Sequence, residues 1–370
     1  MDSDPSSRSL SRQLGLSGAI LMGLGSIVGT GVFVSIGIAA GITGPSVVLA
    51  VVVGAVVATF NGLSSAQLAA AHPVSGGTYE YGYVFLRPRL GFLAGWMFLI
   101  AKSASAATAA LGFSGYLLDA MGLSADVWLI PGALMAVAVL TGVVYTGIRR
   151  SDRANRLVVM ITLGALVLFV GAGTPTAWAH GLSSFEGFFV APDGGGGIRD
   201  LLFASALMFV AYTGYGRIAT LGEEVRDPRS TIPRAIIATL GVTMGLYLSV
   251  TVVAVGAVGA DGLRRGALEQ AAPLEVAARA FNIPGVPEVV AFGAITAMLG
   301  VLLNLLLGLS RVLLAMGRRA DVPRVFGRVD ETGTTPGPAV LVMGGVVGAI
   351  TLIGSVSVTW SFSAFAVLIY

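Results

Sequence analysis

From Gln13 to Tyr79 the chain carries no Asp, Glu, Lys or Arg, and charge-poor apolar runs recur from there to its last residue. A helix that crosses lipid needs about 20 consecutive apolar residues. On that measure the pattern predicts ten spans, near 15–40, 46–71, 90–118, 127–148, 155–173, 200–222, 235–259, 287–315, 337–354 and 357–370. The expected fold class is an all-α polytopic membrane protein, with the lipid bilayer as its first partner. The leader Met1–Arg12 is polar and has no signal-peptide cleavage pattern. Residues 1–14 therefore read as a disordered tail and 15–370 as one transmembrane core. The tenth run reaches Tyr370 still apolar, and the expectation is a piece of a longer protein.

Two of the runs are faulted. In the first, Gly25, Gly29 and Gly31 fall within seven residues of Gly25-Ser26-Ile27-Val28-Gly29-Thr30-Gly31. Glycine costs about 1 kcal/mol against alanine in a helix interior, so the cluster predicts an unwound point. Open backbone survives at membrane depth only beside protein or a watery cavity. The sixth run carries the same fault in Ala211-Tyr212-Thr213-Gly214-Tyr215-Gly216, and Gly214 lies 185 residues after Gly29, half the chain. Spans one and six thus open two five-span halves, about 15–173 and 199–370, which insert with opposite topology because five is odd. A lone glycine pair reads as close helix packing. Two clusters at equivalent places point to an inverted-repeat transporter with its site at the midplane.

Composition narrows the chemistry. The chain is 55% hydrophobic and 11% charged, with mean hydropathy +0.87. It has no cysteine, so disulfides, thiolate metal sites and thiol catalysis fall away together. Its two histidines, His72 and His180, lie in loop positions, which argues against a metal site. The net charge of +3 is spread over short loops and is no nucleic-acid footprint. Fifteen arginines fall on the N-terminal side of the membrane, among them Arg87, Arg149, Arg226 and Arg318, against Arg199, Arg264, Arg265 and Arg279 on the other. That bias sets the N-terminus in the cytoplasm.

Four connecting segments carry expectations of their own. Gly194–Gly197, in the outer loop 174–198, reads as a flexible linker and lacks the Gly-Lys-Ser/Thr of a phosphate loop. Ala267–Phe281 reads as a short surface helix, either capping the cavity or merely lying on the surface. His72–Tyr83 reads as an interfacial helix between spans two and three. Glu223, Glu224, Arg226, Asp227, Arg229 and Arg234 make a mixed-sign cytoplasmic loop, an ion-paired inner gate or simply a solvated face.

At four segments the chain resembles the amino acid permeases of the amino acid–polyamine–organocation (APC) superfamily, which have the LeuT-type fold. They are Gly25–Phe33, Pro73–Tyr81, Ala211–Gly214 running on through Glu223–Pro228, and Ser310-Arg311 with Arg318–Pro323. They follow the family's order from the first span to the ninth. Such permeases commonly have twelve spans, so ten supports truncation.

The resemblance implies a small-molecule amino acid as cargo. Its α-carboxylate would sit on the N–H groups near Gly29, Thr30 and Gly31, with the Thr30 hydroxyl as an added donor, at the positive end of a helix restarting at mid-membrane. Its ammonium would meet the carbonyls near Ile27, Val210 and Thr213. Phe209, Tyr212 and Tyr215 flank the second break as candidate gates. Family members often carry an acid where this chain has Gly216. The acid inventory agrees independently: no Asp or Glu lies in a membrane core segment, which suits a zwitterion served by backbone dipoles better than a cation.

No cofactor is expected beyond a coupling proton or sodium ion. Lys102, the only lysine, lies near the middle of span three, too deep for easy snorkelling. It reads as a fixed cation replacing sodium, as a proton carrier, or as a lysine satisfied by Ser103, Ser105 and Thr108. In some proton-coupled relatives a lysine in span five has this role, where this chain has Thr162. Thr162, Thr296 and Asn304 are the alternative, a sodium-like site. The functional expectation is thus a secondary active transporter of a neutral or apolar α-amino acid in the cell membrane, with a cationic amino acid or polyamine as second reading. A Ser–Lys hydrolase lacks any second motif for an oxyanion site. A channel has no need of two broken helices.

Overall fold

The computed structural model describes residues 14–72, 77–146, 152–219, 225–329 and 335–369. The leader, Pro73–Gly76 of the second family-like segment, Arg149, Arg150, Glu223, Glu224 and Tyr370 lie outside the described residues. The described residues are almost wholly helical, and each expected span is present. The first is split into α1 (Leu16–Ile27), a π-turn Gly31–Ser35 and α2 (Ile36–Thr43). Then come α3 (Val47–Ala71), the short α4 (Gly77–Tyr81), α5 (Pro88–Ala120), α6 (Ala125–Tyr145) and α7 (Asp152–His180). The sixth span is split into α8 (Ile198–Tyr212), a 3₁₀ turn Thr213–Tyr215 and α9 (Gly216–Ala219). The chain continues with α10 (Pro228–Arg265), α11 (Pro273–Arg279), α12 (Val286–Arg318), α13 (Gly337–Thr351) and α14 (Val356–Val367).

Seven described helical stretches are long and apolar enough to cross a membrane, and one of them, Leu16–Ala71, is 56 residues and holds two crossings. The helices α13 and α14 are shorter, at 15 and 12 residues. Spans one, two, six and seven pack on one another, while α5 gathers α6, α12, α13 and α14, and α7 touches α1, α10 and α12. Small residues make the close approaches. On α5, Ala101, Ala104, Ala106, Ala107, Ala109 and Ala110 are fully buried, which lets neighbouring backbones come near. Hydroxyls then pair across the seam with α14: Ser105 with Ser363 at 2.7 Å and Thr108 to Thr359 at 2.8 Å.

Three connecting segments differ from the sequence expectation. Gly194–Gly197 is a tight turn rather than a loose linker. Gly194, Gly196 and Gly197 take φ of 82°, 123° and 107°, a region glycine enters freely. The turn is tied by Ala191 N–H to the Gly195 carbonyl (2.9 Å) and by Gly196 N–H to Asp200 (2.9 Å). Ala267–Phe281 is no surface helix: it splits into a π-turn Gly266–Gln270 and α11, with Ala272, Leu274, Ala277 and Ala278 at 0% exposure. Between spans two and three, His72 sits at a bend, and among the described residues Gly77–Tyr81 and a π-turn Gly82–Leu86 are helical.

Candidate functional site

The two breaks interlock. At Val28 the backbone turns extended (φ −77°, ψ 103°), and the helix restarts when Val32 and Phe33 both donate to the Gly29 carbonyl, at 3.0 and 3.1 Å. The N–H groups of Gly29, Thr30 and Gly31 precede those bonds, as at any helix start. In span six, Thr213 N–H caps the Val210 carbonyl. A β-carbon on Gly214 would collide with the Ser26 carbonyl, and one on Gly31 would lie 2.6 Å from the Ala211 β-carbon. These two glycines let unwound backbone cross unwound backbone.

A cavity of about 630 Å³ opens at this crossing, within the range of small-molecule sites. Ile27, Thr30, Gly31, Phe209, Val210, Thr213 and Tyr215 line it, as do Lys102 and Asn304. Thr30 is 3% exposed, and its buried hydroxyl has no hydrogen-bond partner among the described residues. A buried hydroxyl without a partner costs free energy.

Lys102 reaches the second break. Its ammonium donates to the Thr213 hydroxyl at 2.9 Å, and that hydroxyl donates to the Val210 carbonyl at 2.8 Å. The hydroxyls expected to satisfy it point elsewhere: Ser105 and Thr108 to α14, while that of Ser103 has no partner among the described residues. The Ile27 carbonyl already accepts from the Tyr247 hydroxyl at 2.8 Å, with the Ala211 carbonyl at 3.5 Å from the same oxygen. The Ile27 carbonyl thus keeps one lone pair, while the Val210 carbonyl already accepts from both the N–H and the hydroxyl of Thr213.

Four expected residues lie off the cavity. Gly29 faces α12, where its β-carbon would come 2.5 Å from Val301. Tyr212 is fully buried against Tyr247, ring centroids 5.1 Å apart. The Thr162 hydroxyl donates to Val158 at 2.8 Å and that of Thr296 to Phe292 at 2.9 Å, each within its own helix. Asn304 is separate from both, and donates to the Gly25 carbonyl at 3.3 Å. Sequence reasoning missed Tyr247, Trp360 and Asn61. The latter two line the cavity, where Trp360 donates to the Leu207 carbonyl (3.2 Å) and Asn61 accepts from Tyr215.

The cavity runs from the breaks toward Thr78, Tyr81, Arg318 and Arg319, the face of the arginine-rich loops. At its mouth two of the family-like segments meet. Arg319 holds Glu80 by two contacts (2.6 and 2.7 Å) and lies over the Tyr83 ring at 4.4 Å. Tyr79 and Tyr83 both donate to Asp321, the former at 2.7 Å. Burial, then the Asp321 carboxylate, pushes both phenols above their ordinary range. Among the described residues there is no cluster of His, Asp or Glu able to hold a metal ion.

A family model described as amino acid permease matches residues 18–370. An uncharacterized transporter of Mycobacterium tuberculosis (strain H37Rv) is 41% identical over 364 residues, 98% of this chain and 78% of that one. The branched-chain amino acid permease BcaP of Bacillus subtilis is 29% identical over 352 residues, 89% of this chain and 72% of that one. Among solved structures, MhsT in complex with L-phenylalanine superposes with a TM-score of 0.64 at 18% identity, covering 93% of this chain and 79% of that one. At that identity the likeness speaks for the fold.

Proposed function

The chain belongs to the amino acid permease family of the APC superfamily, a multi-pass membrane protein of LeuT-type fold, and from that premise we propose that it carries a neutral or apolar α-amino acid by alternating access. The substrate carboxylate takes the N–H groups around Thr30 and Gly31 together with the Thr30 hydroxyl. Its ammonium takes the free lone pair of the Ile27 carbonyl. The observation that carries this reading is the unpartnered Thr30 hydroxyl, buried where the two breaks cross. No carboxylate lies in the membrane core to hold a cationic side chain, and the name of the BcaP relative points the same way.

Lys102 is the coupling group in this reading. It is the chain's only lysine, and its hydrogen bond to Thr213 joins it to the break that must rearrange when substrate binds. The N-terminus is cytoplasmic, and the cavity opens to the cytoplasm. The test is uptake into proteoliposomes of each of the twenty amino acids, with imposed proton or sodium gradients and with internal amino acid for counterflow. Saturable uptake of apolar amino acids is expected, with gradient dependence lost in Lys102→Met. Gradient dependence intact in that variant removes Lys102 from coupling and leaves the permease reading. Uptake of cationic species alone overturns the substrate class. A protein that neither moves nor binds any amino acid overturns the whole reading.

A further inference from the structure

On the face opposite the cavity mouth, α11 lies over the outer half of span one. Its apolar side is fully buried, and it packs on α10, α12 and the π-turn Gly31–Ser35. One relay ties it to the first break: the Tyr116 hydroxyl accepts from Leu274 N–H (3.3 Å) and donates to the Phe33 carbonyl (2.7 Å). The next residue, Glu275, is 3% exposed, and its Oε2 is buried with no hydrogen-bond donor among the described residues. Its Oε1 accepts from an Arg279 nitrogen at 3.1 Å, and the same nitrogen serves Asp119, at the end of α5, at 2.7 Å. One guanidinium cannot neutralise two carboxylates. The surplus negative charge falls on Glu275, whose Oε2 is the buried atom without a donor, and the balanced state holds one proton there.

Among the described residues the surroundings supply no other counter-charge. Glu288 of α12 lines the same 370 Å³ cavity with Asp119, Glu275 and Arg279, and adds negative charge. Glu269 lies in the preceding π-turn. On α10, Arg264 and Arg265 face Asp261, at 3.7 and 3.1 Å. The segment Gly31–Thr43 carries no ionisable side chain. We propose that Asp119 and Glu275 form a proton-binding latch that holds α11 closed over the outer side of the permease. With the proton on Glu275, Arg279 is left to pair with Asp119 and α11 stays docked on α5. Without it, two carboxylates repel across a buried contact and α11 lifts.

The direction of the linkage follows. Burial first, then the Asp119 charge, pushes the Glu275 carboxyl up to about 7 against the opposing pull of Arg279. The closed form thus binds a proton that an open, solvated form releases, so closure is favoured at low pH and lost as pH rises through neutrality. The chain has no cysteine, so spin labels on Val127→Cys and Ile283→Cys report the distance from the start of α6 to the segment after α11. The expected result is a short distance at pH 5.5 and a longer one at pH 8, with the closed-to-open ratio changing at least about tenfold. In Glu275→Gln, and independently in Asp119→Asn, the short distance should persist at both pH values. One distance at both pH values in the parent, or a shift that survives in both variants, overturns the latch. Neither outcome bears on which substrate the central cavity takes.

Discussion

Tyr247 does for the first break what the break cannot do for itself. An unwound segment at membrane depth exposes carbonyls, and each needs a donor. The Tyr247 hydroxyl supplies one to Ile27 while its ring packs on Tyr212. Nothing in the sequence marks it, because a tyrosine in an apolar span reads as an interface or packing residue. Lys102 was legible, as the only lysine in an acid-free core. Its partner Thr213 was not, since spans three and six meet only through tertiary packing. Removing the Tyr247 hydroxyl strands a buried acceptor, at a cost of about 1–3 kcal/mol. Tyr247→Phe is therefore expected to lower the melting temperature in detergent and to weaken amino acid binding about tenfold by calorimetry. Unchanged values for both would mean that water replaces the hydroxyl. Gly214→Ala tests the crossing itself. Its methyl meets the Ser26 carbonyl, a rigid backbone atom, and such overpacking costs about 1–3 kcal/mol. Folded protein that has lost uptake is the expected outcome, and normal uptake would show that the breaks need not touch.

Among the elements, the ten spans were legible because apolar length is a strong signal, and both breaks because glycine clusters defy it. The connecting segments were less so. Four consecutive glycines look flexible in composition, yet the positive φ values of three of them close a hydrogen-bonded turn against Asp200. Ala267–Phe281 looked like a surface helix because its charges are visible in the sequence and its burying partners are not. The mouth of the cavity carries a similar lesson. Segments 79–83 and 318–321 are far apart in the chain, and their charges and phenols make one contact set. Asp321→Asn removes the charge from two tyrosine hydrogen bonds, each worth about 1.5–3 kcal/mol with an ionised acceptor. The melting temperature should fall while the affinity for amino acid stays within about threefold, since Asp321 does not line the cavity. A large loss of affinity with the melting point intact would instead make this cluster part of the site.

For the whole molecule, one group of helices carries both breaks and the other carries Lys102, and the cavity lies between them. Alternating access needs such a division, because one group must rock against the other around a fixed site. In the present conformation the cavity extends to Arg318 and Arg319, while on the opposite face α11 is packed down. Positive residues crowd the mouth side, the side that the proposed orientation turns to the cytoplasm. These two facts together give a directional prediction. Thr30→Cys places the only thiol of the chain at the crossing of the breaks. In vesicles of known orientation, a membrane-impermeant thiol reagent should label it from the cytoplasmic side, and a bound amino acid should slow that labelling. Labelling from the outer side should be weak at pH 5.5 and rise at pH 8 if α11 lifts, since the outer path then opens. Labelling from outside alone would reverse the assigned orientation. Equal labelling from both sides at every pH would describe an open pore, which a carrier cannot be.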